Sequence, residues 1–411
     1  MTATQRILLG LALGAMTGIA LASWAPDVAE RIADAVQPVG KLWLSALQMT
    51  VVPLVLSLVV VGANTATDAA ASGRIARRAI VVFLLLLALG AAVAALTAPA
   101  LFTLFPRSDS LTTALSATGS HLPATAPIGW SDWLAGIVPT NVVMAAAQSA
   151  MLPLVVFAMF LGFALTRIAP ERRALAVEFF RAIADAMIVI VRWVLLLAPL
   201  GVFALILSVC ARAGLHMLGA LGVYVLVECM VYLIVTALML VVARAWGHEP
   251  FARFAAAIAP AQVVAASTQS SLASLPAMIE SADRRLGYPT AVTSLVLPMA
   301  VSLFRLTSPV QYVVSASFIA WALGIELSVA QLAAGAALAV VISLGSVGLP
   351  GQVTFIATNV PVAQAMGLPI GPLGIMLAVD TLPDTLATLG NVTADLAATS
   401  IVAAQSRKDE A

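Results

Sequence analysis

The sequence predicts an all-α protein that crosses a membrane many times, and three observations carry that expectation. Of 411 residues, 62% are hydrophobic and only 9% are charged, against about 25% charged in an ordinary soluble domain. Apolar runs of bilayer-spanning length recur along the whole chain. Basic residues gather at every second connection between those runs. The balance of 20 Lys+Arg against 19 Asp+Glu, a formal net charge of +1, leaves no basic excess for a nucleic-acid backbone. The two cysteines, Cys210 and Cys229, lie inside apolar runs without a Cys-x-x-Cys pair, so neither a disulfide framework nor a zinc site is indicated.

The first run, Ile7 to Ala25, follows Arg6 and has the look of a secretory signal, but the runs after it make it the first span of a polytopic chain. Further spans are predicted over Leu42 to Gly62, Ile80 to Phe105, Val142 to Leu165, Met187 to Val209, Leu218 to Val242, Ala291 to Leu323 and Leu373 to Ala403. Another apolar stretch, Gln331 to Val347, lies between the last two. Arg74, Arg77 and Arg78, then Arg167, Arg172 and Arg173, then Arg244 and Arg253, and finally Arg407 and Lys408 mark the cytoplasmic side. The connections around Asp27 to Asp34 and Pro106 to Thr140 carry few positive charges, so both termini are expected in the cytoplasm, with Trp130 and Trp133 at the outer headgroup level.

Two segments in the last third are too interrupted to be simple spans. One is Ala266-Ser-Thr-Gln-Ser-Ser-Leu-Ala-Ser-Leu-Pro276; the other is Ile342-Ser-Leu-Gly-Ser-Val-Gly-Leu-Pro-Gly351. Each precedes a long apolar stretch with polar residues at an unlikely depth: Arg305, Thr307 and Ser308 in one, Asp380, Asp384, Thr388, Asn391, Thr393 and Asp395 in the other. An unpaired peptide group costs several kcal/mol in hydrocarbon, so such turns are tolerated only against protein or a wet cavity. Paired interruptions of this kind point to a midplane binding site in a transporter built from inverted repeats. The plainer alternative, two extramembrane loops, fits poorly with the scarcity of flanking charge.

These features resemble the dicarboxylate/amino acid:cation symporter family, the glutamate transporters and their prokaryotic homologues, over nearly the whole chain. The resemblance rests on Met49-Thr-Val-Val-Pro-Leu54, Ile137-Val-Pro-Thr-Asn141, Ala198-Pro-Leu-Gly-Val-Phe-Ala204, Ser267 to Pro276 and Gly345-Ser-Val-Gly-Leu-Pro-Gly351. Above all it rests on Asp380-x-x-x-Asp384 with Asn391-Val-Thr-Ala-Asp395. It implies eight transmembrane helices plus two re-entrant hairpins in an elevator-type glutamate transporter fold, assembled as a homotrimer. The implied division is a scaffold of helices 1 and 2 (residues 1–70) and of helices 4 and 5 (106–213), and a transport domain. The latter comprises helix 3 (71–105) and residues 214–405, with hairpin 1 at 249–286 and hairpin 2 at 326–367; residues 406–411 form a cytoplasmic tail.

The same resemblance implies a substrate site. Ser271 of the first hairpin tip and Asn391 match groups that meet an α-carboxylate, Ser270 beside them is a further substrate-binding candidate, and Asp384 matches the aspartate that meets an α-amino group. Thr388, Ser308 and Gly348 match neighbouring substrate-facing positions. The arginine that holds an acidic side chain in glutamate-type members falls at Ala387, and its hairpin alternative falls at Gln269. Neither guanidinium is present, which argues against glutamate or aspartate as substrate because a buried carboxylate without a partner is costly.

The ion sites depart further. Where sodium-coupled members carry Asn-Met-Asp-Gly-Thr, this chain reads Phe304-Arg-Leu-Thr-Ser308, and the three hydroxyl positions of helix 3 fall at Phe83, Leu86 and Leu87. A hard cation needs several oxygen ligands, so the deep sodium site is expected to be lost. Asn391 and Asp395 keep part of a second site, and carbonyls around Ser302, Ser343 and Ser346 keep part of a third. Arg305 is the only basic residue between Tyr288 and Ser406. A central arginine costs roughly 2.5–3.5 kcal/mol on insertion scales, so it should face partners, with Asp395, Asp384 and second-hairpin carbonyls as candidates. Two roles stay open for it: a built-in substitute for bound sodium, or a structural ion pair. Glu228, mid-span in helix 6, reads equally as a proton carrier or as a hydrogen-bonded structural acid.

Three functional readings follow. The leading one is a sodium-independent transporter or exchanger of small amino acids in the inner membrane; no cofactor is expected, and a proton is the remaining coupling ion. The second is a proton- or residual-sodium-coupled symporter of a dicarboxylate or acidic amino acid bound through Arg305. The third is an anion-conducting pore. An enzyme is excluded by the lack of any converging nucleophile–base pair or metal set.

Overall fold

The computed structural model of the chain describes residues 3–71, 73–107, 137–345, 351–380 and 383–410, and every regular element among them is helical. Seven segments are long and apolar enough to cross a membrane, or eight if one bent pair counts as a single span. The protein is therefore a multi-pass membrane protein.

Chain order gives α1 (Ala3–Trp24), α2 (Pro26–Gln48), α3 (Val51–Ala71) and α4 (Arg74–Phe102). The sequence reading had treated Asp27 to Asp34 as a connection, whereas Pro26 opens a helix there that runs to Gln48. Its polar half reads as a loop because Glu30, Arg31 and Asp34 face outward, while Ala29 and Ala33 bury against Leu21 and Ala211. Asp34 is fixed by Arg212 at 2.6 Å.

The short α5 (Val142–Ala147) begins at Asn141, whose Oδ1 accepts the Met144 N–H at 3.0 Å, and a break at Gln148–Ala150 separates it from α6 (Met151–Leu165). Side-chain oxygens at this position satisfy one of the four free N–H groups of a helix start. Helices α7 (Pro170–Leu196) and α8 (Ala198–Ala213) replace the single span predicted over Met187 to Val209. They meet at 60°. Pro199 lacks an N–H and crowds the carbonyl four residues earlier, a sufficient cause of the bend. The Trp43 indole donates to the Val194 carbonyl at 3.1 Å at the same corner.

After α9 (Leu215–Ala245) the chain forms α10 (Phe251–Thr268), α11 (Ser271–Glu280) and a π-helical turn, Ser281–Leu286. The predicted first interruption is thus a pair of helices broken at Gln269 and Ser270. The span predicted over Ala291 to Leu323 is also broken, into α12 (Thr290–Leu303) and α13 (Thr307–Leu323). Helices α14 (Val329–Gly345) and α15 (Gly351–Ala365) flank the second Gly-rich stretch. The last predicted span starts late: a single turn, α16 (Leu373–Met376), precedes a non-helical stretch, and α17 runs over Asp384–Glu410.

Helix α8 packs on α1 and α2, and α3 packs on α6 and α7. Helices α4, α9, α10, α12 and α13 surround α17, which is buried along most of its length. The rings of Phe102, Phe318, Trp321 and Tyr224 tie α4, α13 and α9 together, with Tyr224 and Phe318 centroids 5.1 Å apart. Arg78 donates to the Gln405 carbonyl, Arg407 to that of Gly287 and Arg253 to that of Leu286. These bonds gather the start of α4, the end of α17 and the base of the α10–α11 pair at one end of the molecule.

Between membrane helices the packing force is close contact rather than expulsion of water, so small residues at a crossing matter most. Gly10, Gly14 and Gly18 of α1 face the α8 backbone, and a Cβ built at Gly14 would lie 2.7 Å from the Phe203 carbonyl oxygen. Gly14→Leu is therefore expected to destabilise the protein by about 1–3 kcal/mol through overpacking. Gly222→Leu, at a position with open space around it, should leave stability unchanged. Thermal unfolding of the two variants in detergent, followed by tryptophan fluorescence, provides the comparison.

Candidate substrate and coupling site

The candidate site is drawn from three places among the described residues where a helix stops inside the protein. At the end of α10, Gln269 takes a left-handed conformation (φ 50°, ψ 33°) and Ser270 returns to an extended one. The Ser270 Oγ accepts the Ala273 N–H at 3.2 Å, so this hydroxyl caps α11. Ser271, half-buried, is the first residue of α11 and presents a helix N-terminus, where free N–H groups favour an anion. The turn is docked on α17: Gln269 Nε2 donates to Thr385 Oγ1 at 2.8 Å, and Gln262 Nε2 of α10 donates to Thr393 Oγ1 at 2.9 Å.

The second stop lies between α12 and α13, at Phe304, Arg305 and Leu306. Asn391 of α17 reaches across to it. Its Oδ1 accepts both the Thr307 N–H and the Thr307 Oγ1–H at 3.0 Å, and Thr307 Oγ1 also lies 3.3 Å from the Ala387 carbonyl. A side chain from another helix thus caps α13. With Oδ1 engaged, the Nδ2 of Asn391 is the end left to donate to an anionic group. Ser308 follows in the first turn of α13 and is buried.

The third stop, between α16 and α17, holds Asp380, buried and accepting a hydrogen bond from Gln311 Nε2 of α13. One turn later Asp384 opens α17, and the Thr388 hydroxyl donates to the Asp384 carbonyl at 2.9 Å. Asp384, Ala387, Thr388 and Asn391 therefore lie along one side of the first two turns of α17. Ser346 and Gly348, beyond Ser343 and the end of α14, lie outside the described residues.

Arg305 is half-buried, and its charge acts on Asp380, Asp384 and Asp395 together. The expected direct contact with Asp395 is corrected in one respect. Both oxygens of this buried carboxylate lack a hydrogen-bond partner among the described residues, so the guanidinium acts on it through space. Ser302 is exposed, with its hydroxyl bonded to the Pro298 carbonyl at 2.7 Å, and Ser343 is buried with its hydroxyl on the Val340 carbonyl at 2.8 Å. Neither hydroxyl is turned to a ligand; each residue sits in the last turn of a helix, where carbonyls lack intrahelical donors.

Behind the α12–α13 break the surroundings are dry. The Phe83 and Phe304 rings stack with centroids 4.8 Å apart and planes within 4°, and Leu86, Leu87 and Leu306 are fully buried around them. No side-chain oxygen is offered by these five positions.

Sequence reasoning singled out Glu228 but missed the side chains around it. Glu228 of α9 is fully buried; Tyr232 donates to its Oε1 at 2.9 Å, and Tyr224 lies 3.2 Å from Ser315 Oγ of α13. The i, i+4 spacing of Tyr224, Glu228 and Tyr232 was a legible sign that the three share one face. Their partners Gln311 and Ser315 became visible only once α13 was placed beside α9.

The family model described as the sodium:dicarboxylate symporter family matches residues 3–405. A proton/glutamate-aspartate symporter of Escherichia coli (strain K12) is 29% identical over 410 residues, covering 97% of this chain and 91% of its relative. Neutral amino acid transporter B(0) of Oryctolagus cuniculus is 30% identical over 426 residues, covering 95% of this chain and 76% of that protein. A C4-dicarboxylate transport protein of Cupriavidus taiwanensis is 27% identical, with 95% and 89% covered. Helix stops gathered beside one buried helix fit the transporters named among these relatives, and the chain belongs to the sodium:dicarboxylate symporter family.

Proposed function

We propose that this protein is a secondary transporter or exchanger of small neutral amino acids in the inner membrane, independent of sodium, with Arg305 in the place of a bound cation. The observation that carries the reading is the stacked Phe83–Phe304 pair with Leu86, Leu87 and Leu306. An aromatic and aliphatic plug supplies none of the oxygen ligands that a hard cation requires. Arg305 stands at the free carbonyl end of α12 and beside the acids of α17. At about 4 Å and an effective dielectric of 20, one such pair is worth on the order of 4 kcal/mol.

In this reading Asp384 receives the substrate ammonium, while Asn391 Nδ2 and the α11 N-terminus at Ser271 receive its carboxylate. Ala387, where an acidic side chain would need a guanidinium, favours a small uncharged one. The relative named as a neutral amino acid transporter is consistent with that preference. Residues 71–105 and 214–405 would move as a transport domain against a scaffold of residues 1–70 and 106–213. The assembly would be a homotrimer with both termini cytoplasmic.

A second reading, a dicarboxylate held by Arg305, is favoured by the reach of the guanidinium into the Asp384 region and by the relatives named as C4-dicarboxylate carriers. Proteoliposome counterflow of labelled L-alanine, L-serine, L-glutamate and succinate separates the two. Imposing a sodium gradient is expected to leave uptake of the preferred substrate unchanged; a steep sodium dependence would overturn the proposal.

Asp384→Asn should weaken amino-acid binding about 10- to 100-fold, the loss of one charge-assisted contact of roughly 1.5–3 kcal/mol. Succinate binding should survive the same change. Calorimetric titration of the variant with both compounds decides whether Asp384 reads an ammonium group.

Arg305→Met should weaken binding at neutral pH, since it leaves Asp384 and Asp395 without a cation at a cost of roughly 3–5 kcal/mol unless they take up protons. Lower pH should restore part of the affinity. Sodium should not, because Phe304, Leu306 and Phe83 still offer it no ligand. Affinities measured in sodium and potassium chloride at two pH values test this, and an unchanged affinity would reduce Arg305 to packing.

A further inference from the structure

We propose that the groove between α4 and the ends of α9 and α17 is a lipid site, which takes an acyl chain of an anionic phospholipid with its headgroup at Arg78 and Arg244. The inference rests on the chain being a multi-pass membrane protein and is independent of which substrate it carries.

The groove has a volume of about 800 Å³ and shares no residue with the proposed substrate contacts. Its floor is Val82 and Leu86 of α4 and Ile401 of α17, all buried, and it opens sideways along Leu85, Ala88 and Ala92, all exposed. The three- and four-residue spacing of Val82, Leu85, Leu89 and Ala92 makes them one stripe of α4. Ala88, Ala92 and Ala245 place only methyl groups along it, which leaves the slot wide. From Val82 to Ala92 the helix rises about 15 Å at roughly 1.5 Å per residue. That is half of a hydrocarbon core of about 30 Å, the depth of one leaflet.

Polar groups gather at one end only. Gln405 of α17, His248 and the exposed Trp246 line the groove there, and indole rings favour the headgroup level of a membrane. Arg78 stands one turn before Val82 on the same stripe and donates to the Gln405 carbonyl at 3.3 Å. Arg244, exposed, directly precedes Ala245 in the last turn of α9. Glu249, the acid next to His248, is buried and lies 3.7 Å from the Arg253 guanidinium, so it does not cancel the positive rim. A basic rim over an apolar slot one leaflet deep complements a lipid phosphate joined to an acyl chain.

The rim is formed before any lipid arrives. A Cβ at Gly247 would run into the Ser400 hydroxyl of α17, and the Glu249 N–H donates to the Ala243 carbonyl at 3.1 Å. The turn that carries Trp246 and His248 is thereby fixed against α17, with His248 in a left-handed conformation (φ 59°). A preformed site spares the ligand the cost of ordering it.

The test uses the full chain, delipidated in detergent and titrated with phosphatidylglycerol or phosphatidylethanolamine carrying brominated acyl chains, with quenching of tryptophan fluorescence as the readout. Trp246→Phe isolates the signal of Trp246. Saturable quenching of Trp246 is expected, at lower concentration for the anionic lipid. Arg244→Gln should weaken phosphatidylglycerol binding about fivefold, the factor that one basic residue near a lipid surface contributes. Ala88→Phe fills the groove from an exposed position and should abolish saturable quenching by both lipids; Ala92→Phe serves the same purpose if the first variant fails to fold. Arg167→Gln, an exposed arginine outside the groove, should behave as wild type. Unsaturable quenching, equal for both lipids and unchanged in every variant, would mean bulk contact only and overturn the proposal. Absence of any quenching of Trp246 would mean that protein, such as a second copy of the chain, covers the groove, and would overturn it as well. So would full displacement of phosphatidylglycerol by inorganic phosphate, which would mark a bare anion site.

Discussion

Every backbone group at membrane depth needs a partner, and this constraint decides how the helix stops of the protein are arranged. A helix that ends inside the membrane leaves free N–H groups at one end and free carbonyls at the other. Here two of the ends are answered from other elements: Asn391 of α17 caps α13, and Trp43 of α2 donates to the Val194 carbonyl at the α7–α8 corner. The interruptions are possible because α17 runs beside them. The same contacts bring Ser271, Arg305, Asp384 and Asn391 into one neighbourhood, so the requirement for backbone satisfaction also collects the polar groups of the site.

Much of this was legible in the sequence because hydrocarbon makes polar residues conspicuous. Arg305, Asp384, Asn391 and Asp395 stand out at depth, and the Ser/Gly-rich stretches announce breaks that no charged loop explains. Legibility failed where a local signal pointed both ways. The first half of α2 is polar enough to read as a loop, although its alanine face is buried under α1 and α8. The break at Phe304–Leu306 contains no glycine or proline, and its one local sign is Thr307-Ser308-Pro309 just after it, where a proline suits a helix's first turn. It is a tertiary event, held open by Asn391 from 84 residues away. The hydroxyls of Ser270 and Ser302 serve a helix cap and an intrahelical bond, uses that the sequence reading did not foresee. Short hydroxyl side chains bond readily to their own backbone, and sequence cannot distinguish the two uses.

The Phe83–Phe304 stack and Arg305 act on opposite sides of the same break. The rings fill the space behind it without an oxygen, and the guanidinium brings a positive charge to the carboxylates in front. Each feature alone would be awkward: a dry plug beside four acids leaves their charge unanswered, and a central arginine beside an oxygen-lined cation site would repel the ion. Together they are consistent, which is the kind of agreement across levels expected of a sequence committed to one arrangement.

A tethered cation differs from a bound one in a way that bears on energetics. A sodium ion drives transport because it binds on one side and dissociates on the other, so its gradient enters the free energy of the cycle. Arg305 cannot leave. In the proposed role it would raise affinity by holding Asp384 and Asp395 in place equally from either side, and a ligand or charge with equal effect on two states shifts no equilibrium between them. Any driving force beyond exchange must then come from a group whose charge changes during the cycle. Among the described residues, Glu228 and Asp380 are buried acids that each accept a hydrogen bond from a neighbouring side chain, Tyr232 and Gln311.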